Sequence, residues 1–187
     1  MAAPYPIRGQ DTETAVWSEL CARAHSDSSS SCGPQEVEPS EDTMRSLFEP
    51  LLGPLPIGRP FVVAHLAQSL DGRIACLDGE SHWISGPEDL THTHRLRALC
   101  GAVMVGAETV IQDNCRLTVR RCEGPQPIRV LLDPSCRIPS DREVFTDGAA
   151  PPVLLTGPGC QAPAGVEHVV LRVGQDGFDG REILDAL

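Results

Sequence analysis

The stretch Ala102-Val103-Met104-Val105-Gly106-Ala107-Glu108-Thr109-Val110 sets the fold class. A short apolar run passes through a glycine straight into a helical pattern, as a buried strand does when it feeds a helix in a layered α/β sheet. Further runs of the same kind follow or precede it. Phe61–Ala67, Ile128–Leu132, Pro152–Leu155 and His168–Leu171 each carry Val, Ile or Leu in near-continuous blocks, the pattern of parallel strands covered on both faces. Between the first two runs, Ser85-Gly86-Pro87-Glu88 combines an N-cap serine, a proline at the first helical position and a glutamate three residues after the cap, which predicts a helix running to Cys100 and closing at Gly101. Its expected inward face is Leu90, Leu96 and Leu99. His92 and His94 stand two apart on that helix, point to different faces and read as surface residues without a metal role.

Working outward, residues 59–187 form the α/β domain and residues 1–58 an appendage. Asp11–Ala24 predicts a helix capped by Asp11 or Thr12, with Val16, Leu20 and Cys21 on its apolar side. This helix accounts for residues 1–25. Residues 26–58 hold a serine-rich linker over Ser26–Ser40, too poor in apolar residues to offset its ordering entropy, and a second short helix over Glu41–Leu52. There Met44, Leu47, Phe48 and Leu51 recur at helical spacing, a face expected to dock on the domain that follows.

The 187 residues are 41% apolar and 22% charged, within the globular range, and no run is long enough for a membrane span. With no basic start followed by an apolar stretch, a cytoplasmic protein is expected. The formal net charge is −11, and all fifteen basic residues are arginine. Without lysine, a Walker-type phosphate loop, a pyridoxal Schiff base and a lysine general base are excluded. Net acidity with no basic stripe argues against nucleic acid. The eight cysteines include no C-x-x-C pair, so reduced, structural thiols are expected.

Three constellations between residues 67 and 121 can carry chemistry. Gln68-Ser69-Leu70-Asp71-Gly72-Arg73-Ile74-Ala75 reads as a polar turn at a strand end, either a hairpin turn or the rim position where open α/β sheets bind ligands. Gly79-Glu80-Ser81-His82-Trp83-Ile84 brings a tryptophan into a polar loop; a lone tryptophan is more often a core residue, but this environment suits stacking on a flat ring. Gly106 into Ala107-Glu108-Thr109, followed by Asp113, Arg116, Arg120 and Arg121, offers helix N–H groups and forked donors to an anion. The alternative is a solvated charge run balanced by Asp113 and Glu123.

Together with Arg59-Pro60-Phe61-Val62-Val63-Ala64, His94-Arg95-Leu96-Arg97-Ala98, Arg116-Leu117-Thr118-Val119-Arg120 and Pro127-Ile128-Arg129-Val130-Leu131-Leu132-Asp133-Pro134, these motifs form an ordered series. It resembles the pyrimidine reductase of riboflavin biosynthesis, the reductase domain of the bifunctional deaminase/reductase. The resemblance implies a dihydrofolate reductase-like, mostly parallel sheet flanked by helices. It also implies NADPH-dependent reduction of 5-amino-6-(5-phosphoribosylamino)uracil at C1′ of its ribosyl group, and a homodimer as the usual assembly. Carried over by position, Ala67, Trp83, Thr109 and Asp113 would contact NADPH, and Ser81, Arg97, Leu117 and Arg120 would hold the phosphorylated pyrimidine. One charge-assisted hydrogen bond from either arginine would contribute about 1.5–3 kcal/mol. Asp71 is the candidate for managing the proton as the sugar ring opens.

The same resemblance implies a further strand, a Val-Glu-Gly-Gly-like loop and a C-terminal helix and strands after Phe178–Leu187. The domain is therefore expected to be C-terminally incomplete, with an unpaired sheet edge that invites self-association. Gly157-Pro158-Gly159 is the nearest local glycine loop, and its proline has no N–H to offer a pyrophosphate. A reductase-like module that binds or tethers a partner without catalysis is the alternative function.

Overall fold

The computed structural model describes residues 10–25, 43–53, 60–77, 79 and 84–187. The chain divides into two compact units, Met1–Val62 and Val63–Leu187.

In the first unit, α1 spans Gln10–Ala24 and α2 spans Thr43–Phe48, continued by a 3₁₀ turn over Glu49–Leu52. Helix α1 starts one residue earlier than expected, so Asp11 and Thr12 lie inside its first turn rather than capping it. Its buried residues are Trp17 and Leu20; Val16 and Cys21 are only half-buried. Trp17 meets Phe48 edge-on, with ring centroids 5.6 Å apart, the offset that aromatic quadrupoles favour. Phe48 and Met44 are buried, whereas Leu47 is exposed. Arg45 pairs with Glu19, and Arg23 lies 3.0 Å from Glu49. The helical spacing on α2 thus serves contact with α1. Pro50 lacks the N–H that would continue an α-helix, and the chain tightens there to 3₁₀ geometry. The serine-rich linker lies outside the described residues.

In the second unit, α3 spans Pro87–Leu99, β1 Ala102–Gly106, α4 Ala107–Asp113 and β2 Ile128–Asp133. They are followed by α5 (Glu143–Thr146), β3 (Val153–Thr156) and β4 (Glu167–Val170). The hairpin β5 (Val173–Gly174) and β6 (Gly177–Phe178) leads into α6 (Gly180–Asp185). Strands β1–β4 form a parallel sheet in sequence order, as the apolar runs predict. On one face, Leu131 and Leu154 pack with Val110, Leu117 and Val144. On the other, Val130 and Leu155 pack with Ile183 of α6, a helix whose first turn is capped by the Asp179 carboxylate accepting from Arg181 N at 2.8 Å.

Four expectations are corrected. Residues Phe61–Ala67 form no strand: the segment is irregular, with Phe61, Val62, Val63 and Leu66 exposed. An apolar run becomes a strand only where an edge accepts its backbone, and none of the described strands pairs with this one. The N-cap of α3 is Gly86, without a side-chain cap; Ser85 instead hydrogen-bonds the Asp89 carboxylate one turn on. The buried residues of α3 are His94 and Ala98, while Leu90, Leu96 and Leu99 are half-buried; His94 is therefore a core residue. Finally, Cys136 and Cys160 are joined as a disulfide, with Cα atoms 5.8 Å apart, so these two thiols are not free.

That disulfide ties together the turns that leave the C-terminal ends of β2 and β3. The same turns approach closely at Gly157, where a Cβ would sit 2.5 Å from the Pro134 carbonyl oxygen. Only glycine fits there. Among the described residues β1 has one strand neighbour, and Met104 on β1 and Ile128 on the adjoining β2 are exposed.

Candidate functional site

The ends of four parallel strands lie along one rim, and that is where an open α/β sheet offers a crevice. Helix α4 starts at this rim. Thr109 and Asp113 stand four residues apart on it, both exposed, and so share one face. A Cβ built on Gly79 would lie 3.9 Å from Gln112 Nε2, which places the start of the loop carrying Ser81 and Trp83 beside α4. Ser81 and Trp83 themselves lie outside the described residues.

After α4 the chain turns on Asn114, whose left-handed backbone (φ 45°) ends the helix and whose side chain accepts from Glu143 N at 2.9 Å. Leu117 is also left-handed, at φ 62°, and its side chain is buried in the core with Val110 and Leu131. A bulky residue held there carries strain that only a well-packed surrounding maintains. Leu117 can therefore face a ligand through its backbone alone.

From Arg116 to Arg120 the backbone belongs to no helix or strand, and side chains from elsewhere hold it. Arg129 Nη1 donates to the Arg116 carbonyl at 2.9 Å. The Gln126 amide takes the place of a strand neighbour: Val119 N donates to Oε1 at 2.7 Å and Nε2 donates to the Val119 carbonyl at 2.8 Å. Arg120 N donates to His94 Nδ1 at 3.1 Å. None of these supporting residues carries a sequence pattern of its own, and only the ordered motifs containing His94 and Arg129 drew attention to their neighbourhoods.

This support brings two expected anion-binding residues together. Arg97 Nη1 of α3 and Arg120 Nη1 both reach the Thr118 carbonyl, at 3.4 and 3.5 Å. These are long, weak bonds. Arg97 Nε is buried without a hydrogen-bond partner. Burial and the neighbouring Arg120 guanidinium push the Arg97 pKa below its ordinary value, while Arg120 also acts on the Glu143 carboxylate and helps to hold its pKa down. Two guanidiniums in this state favour an incoming anion. The half-buried Cys115 thiol marks how near the two sets of residues are: burial raises its pKa, Asp113 raises it further, and Arg97 and Arg120 oppose the rise.

Arg116, by contrast, pairs with Glu143 at 2.5 Å; its partner is neither Asp113 nor Glu123, and its charge is already balanced. The Ser69–Arg73 segment is a local turn closed by Ser69 N donating to the Arg73 carbonyl at 2.9 Å, with no strands flanking it as a hairpin would require. The Ser69 hydroxyl donates to Asp71 and, with the Arg73 side chain, holds its exposed carboxyl below the usual carboxylate range. Asp71 is thus ionised at neutral pH. Ala67 is half-buried in the irregular segment before this turn.

No helix among the described residues is long and apolar enough to cross a membrane. Residues 60–183 match the family model described as the RibD C-terminal domain. The chain is 37% identical over 122 residues to the riboflavin biosynthesis protein RibD of Aquifex aeolicus, covering 65% of this chain and 34% of that protein. It is 46% identical over 94 residues to the 2,5-diamino-6-ribosylamino-4(3H)-pyrimidinone 5′-phosphate reductase of Methanothermobacter thermautotrophicus, covering 49% of this chain and 43% of that one. The crystal structure of a diaminohydroxyphosphoribosylaminopyrimidine deaminase/5-amino-6-(5-phosphoribosylamino)uracil reductase from Thermotoga maritima superposes with a TM-score of 0.52 at 31% identity, over 65% of this chain and 34% of that chain. The chain thus spans less than half the length of these relatives. With its parallel sheet and ordered motifs, and with a family model matched over most of its length, the chain belongs to the RibD C-terminal domain family, the pyrimidine reductases of riboflavin biosynthesis.

Proposed function

We propose that this chain carries the substrate and cofactor sites of an NADPH-dependent reductase acting on 5-amino-6-(5-phosphoribosylamino)uracil. The observation that supports this most directly is the convergence of Arg97 and Arg120 on one carbonyl, with Arg97 Nε buried and without a hydrogen-bond partner among the described residues and with Cys115 acted on by Asp113 of α4 as well as by both arginines. The diamino-pyrimidinone phosphate of the archaeal relative has the same sugar phosphate and would meet the same arginines.

In this reading Arg97 and Arg120 grip the phosphate, the Leu117 backbone and Ser81 orient the pyrimidine, and Ala67, Trp83, Thr109 and Asp113 border the nicotinamide nucleotide. The residues present fit such a group: Thr109 and Asp113 share one exposed face of α4, and the loop leading to Trp83 starts beside Gln112 of the same helix. A reduced nicotinamide supplies hydride when bound. The substrate's contribution is ring opening: the ribosyl oxygen takes a proton from water, the C1′–O bond breaks as the adjoining nitrogen gives up its proton, and the C1′=N carbon so formed would accept a hydride while the nitrogen regains its proton. Asp71, ionised at rest, accepts a proton from the substrate nitrogen and returns it. Positioning carries most of the rate, because hydride transfer requires two carbons held within reach rather than a strong base.

The test is to follow NADPH absorbance with each of the two sugar-phosphate pyrimidines, and to record the melting temperature with NADPH alone. Oxidation that depends on substrate, with a higher melting temperature, is expected. No melting shift at millimolar NADPH and no oxidation with either pyrimidine would overturn the reading.

A further inference from the structure

We infer that His94 is a positioning residue that sets the spacing between the two phosphate-binding arginines, and that it acts as a neutral imidazole. The inference rests on the proposed function, because it concerns the anion site of that reading. His94 is 3% exposed and lies one turn before Arg97 on α3, so the two occupy one side of the helix. Its Nδ1 accepts the Arg120 backbone N–H at 3.1 Å. One ring therefore joins the helix that carries the first guanidinium to the irregular segment that carries the second.

Only the neutral ring can do this, since an imidazolium would present a donor at Nδ1 to a donor. The groups around it keep it neutral: burial lowers its pKa to about 4, and Arg97 of α3 with Arg120 and Arg121 of the following segment push in the same direction. The charges that act on it among the described residues are these three guanidiniums. They withhold a proton from His94 and at the same time attract a phosphate.

The test uses the full chain, with ribose 5-phosphate as the probe, and compares two substitutions. His94→Asn keeps an acceptor near the Nδ1 position but loses volume; His94→Leu keeps volume but loses the acceptor. A positioning role requires His94→Leu to weaken ribose 5-phosphate binding about tenfold or more, the scale of one lost hydrogen bond. In that outcome the Arg120 amide exchanges faster, and His94→Asn retains most of the wild-type affinity. If both bind as wild type does, or if Asn loses affinity and Leu does not, the role is overturned and His94 is packing alone. Nitrogen NMR of the wild-type ring gives an independent check: an unprotonated Nδ1 at pH 6 is required, and an imidazolium there would remove the inference. A wild-type chain that binds no sugar phosphate would instead remove the functional reading beneath it.

Discussion

Arg129 and Asp147 form an ion pair of 2.9 Å between side chains that are each only 4% exposed. Arg129 sits on β2, a central strand of the sheet, and its guanidinium also donates to the Arg116 and Ala150 carbonyls. A buried pair of this kind is justified by the hydrogen bonds that fill its remaining donors, since attraction alone barely offsets desolvation. It joins the strand to the backbone leading into Leu117 and Arg120.

Removing one member leaves a charge in the interior. Asp147→Ala should cost about 3–5 kcal/mol, the range for a broken buried pair, measured by urea unfolding. The double variant Arg129→Met, Asp147→Ala should recover part of that loss. A double variant as unstable as the single one would show that the carbonyl contacts of Arg129, rather than its charge balance, hold the structure.

Arg120→Ala should weaken a phosphorylated substrate by about 1.5–3 kcal/mol, the range for one charge-assisted hydrogen bond, and change NADPH affinity little. Calorimetric titration of each ligand separates the two. Equal losses would place the arginine against the cofactor instead.

His94 also makes stability depend on pH. Its folded-state pKa of about 4 lies below the ordinary 6.5, so within that window the unfolded chain binds a proton that the folded chain refuses. Stability should therefore fall as pH drops from 6.5 towards 4, by up to roughly 3 kcal/mol, and should level off below it. Urea midpoints across the window in wild type and His94→Leu provide the measurement, and the slope due to this residue should vanish in the variant.

The Cys136–Cys160 bond closes a loop with a sequence separation of 24, and such a constraint on the unfolded chain is worth about 3 kcal/mol. Paired melting curves of the oxidised protein and of Cys136→Ser should differ by that order. Identical curves would show that the two turns are held by the Gly157 approach alone.

Much of this fold is legible in the residues. The block at Ile128–Leu132 is a strand with Leu131 buried against α4 and α5 on one face and Val130 against α6 on the other, and a strand covered on both faces is apolar almost throughout; the block at Ala102–Val105 packs Val103 and Val105 on the first face and leaves Ala102 and Met104 exposed on the second. Phe61–Ala67 has the same composition and a different outcome, since composition does not say which edge will pair. The leucines of α3 are its most apolar residues, yet Leu90, Leu96 and Leu99 are only half-buried. His94 and Ala98 occupy its inner face instead because that face must meet a hydrogen-bond donor as well as the core. Of the candidate site, Arg97 and Arg120, proposed to grip a phosphate, stand in the ordered motif series. What Gln126, His94 and Arg129 do was not legible there, since a glutamine, a histidine and a strand arginine acquire their roles only from the backbone groups they meet.

The Cys136–Cys160 bond also leaves a fingerprint that can be read without unfolding anything. With arginine as the only basic side chain, a protease specific for basic residues cuts this region after Arg129, Arg137, Arg142 and Arg172. Fragments 130–137 and 143–172 then travel as one mass until a reductant parts them, so a single spectrum taken before and after reduction reports whether the turns beyond β2 and β3 are fastened in any given preparation.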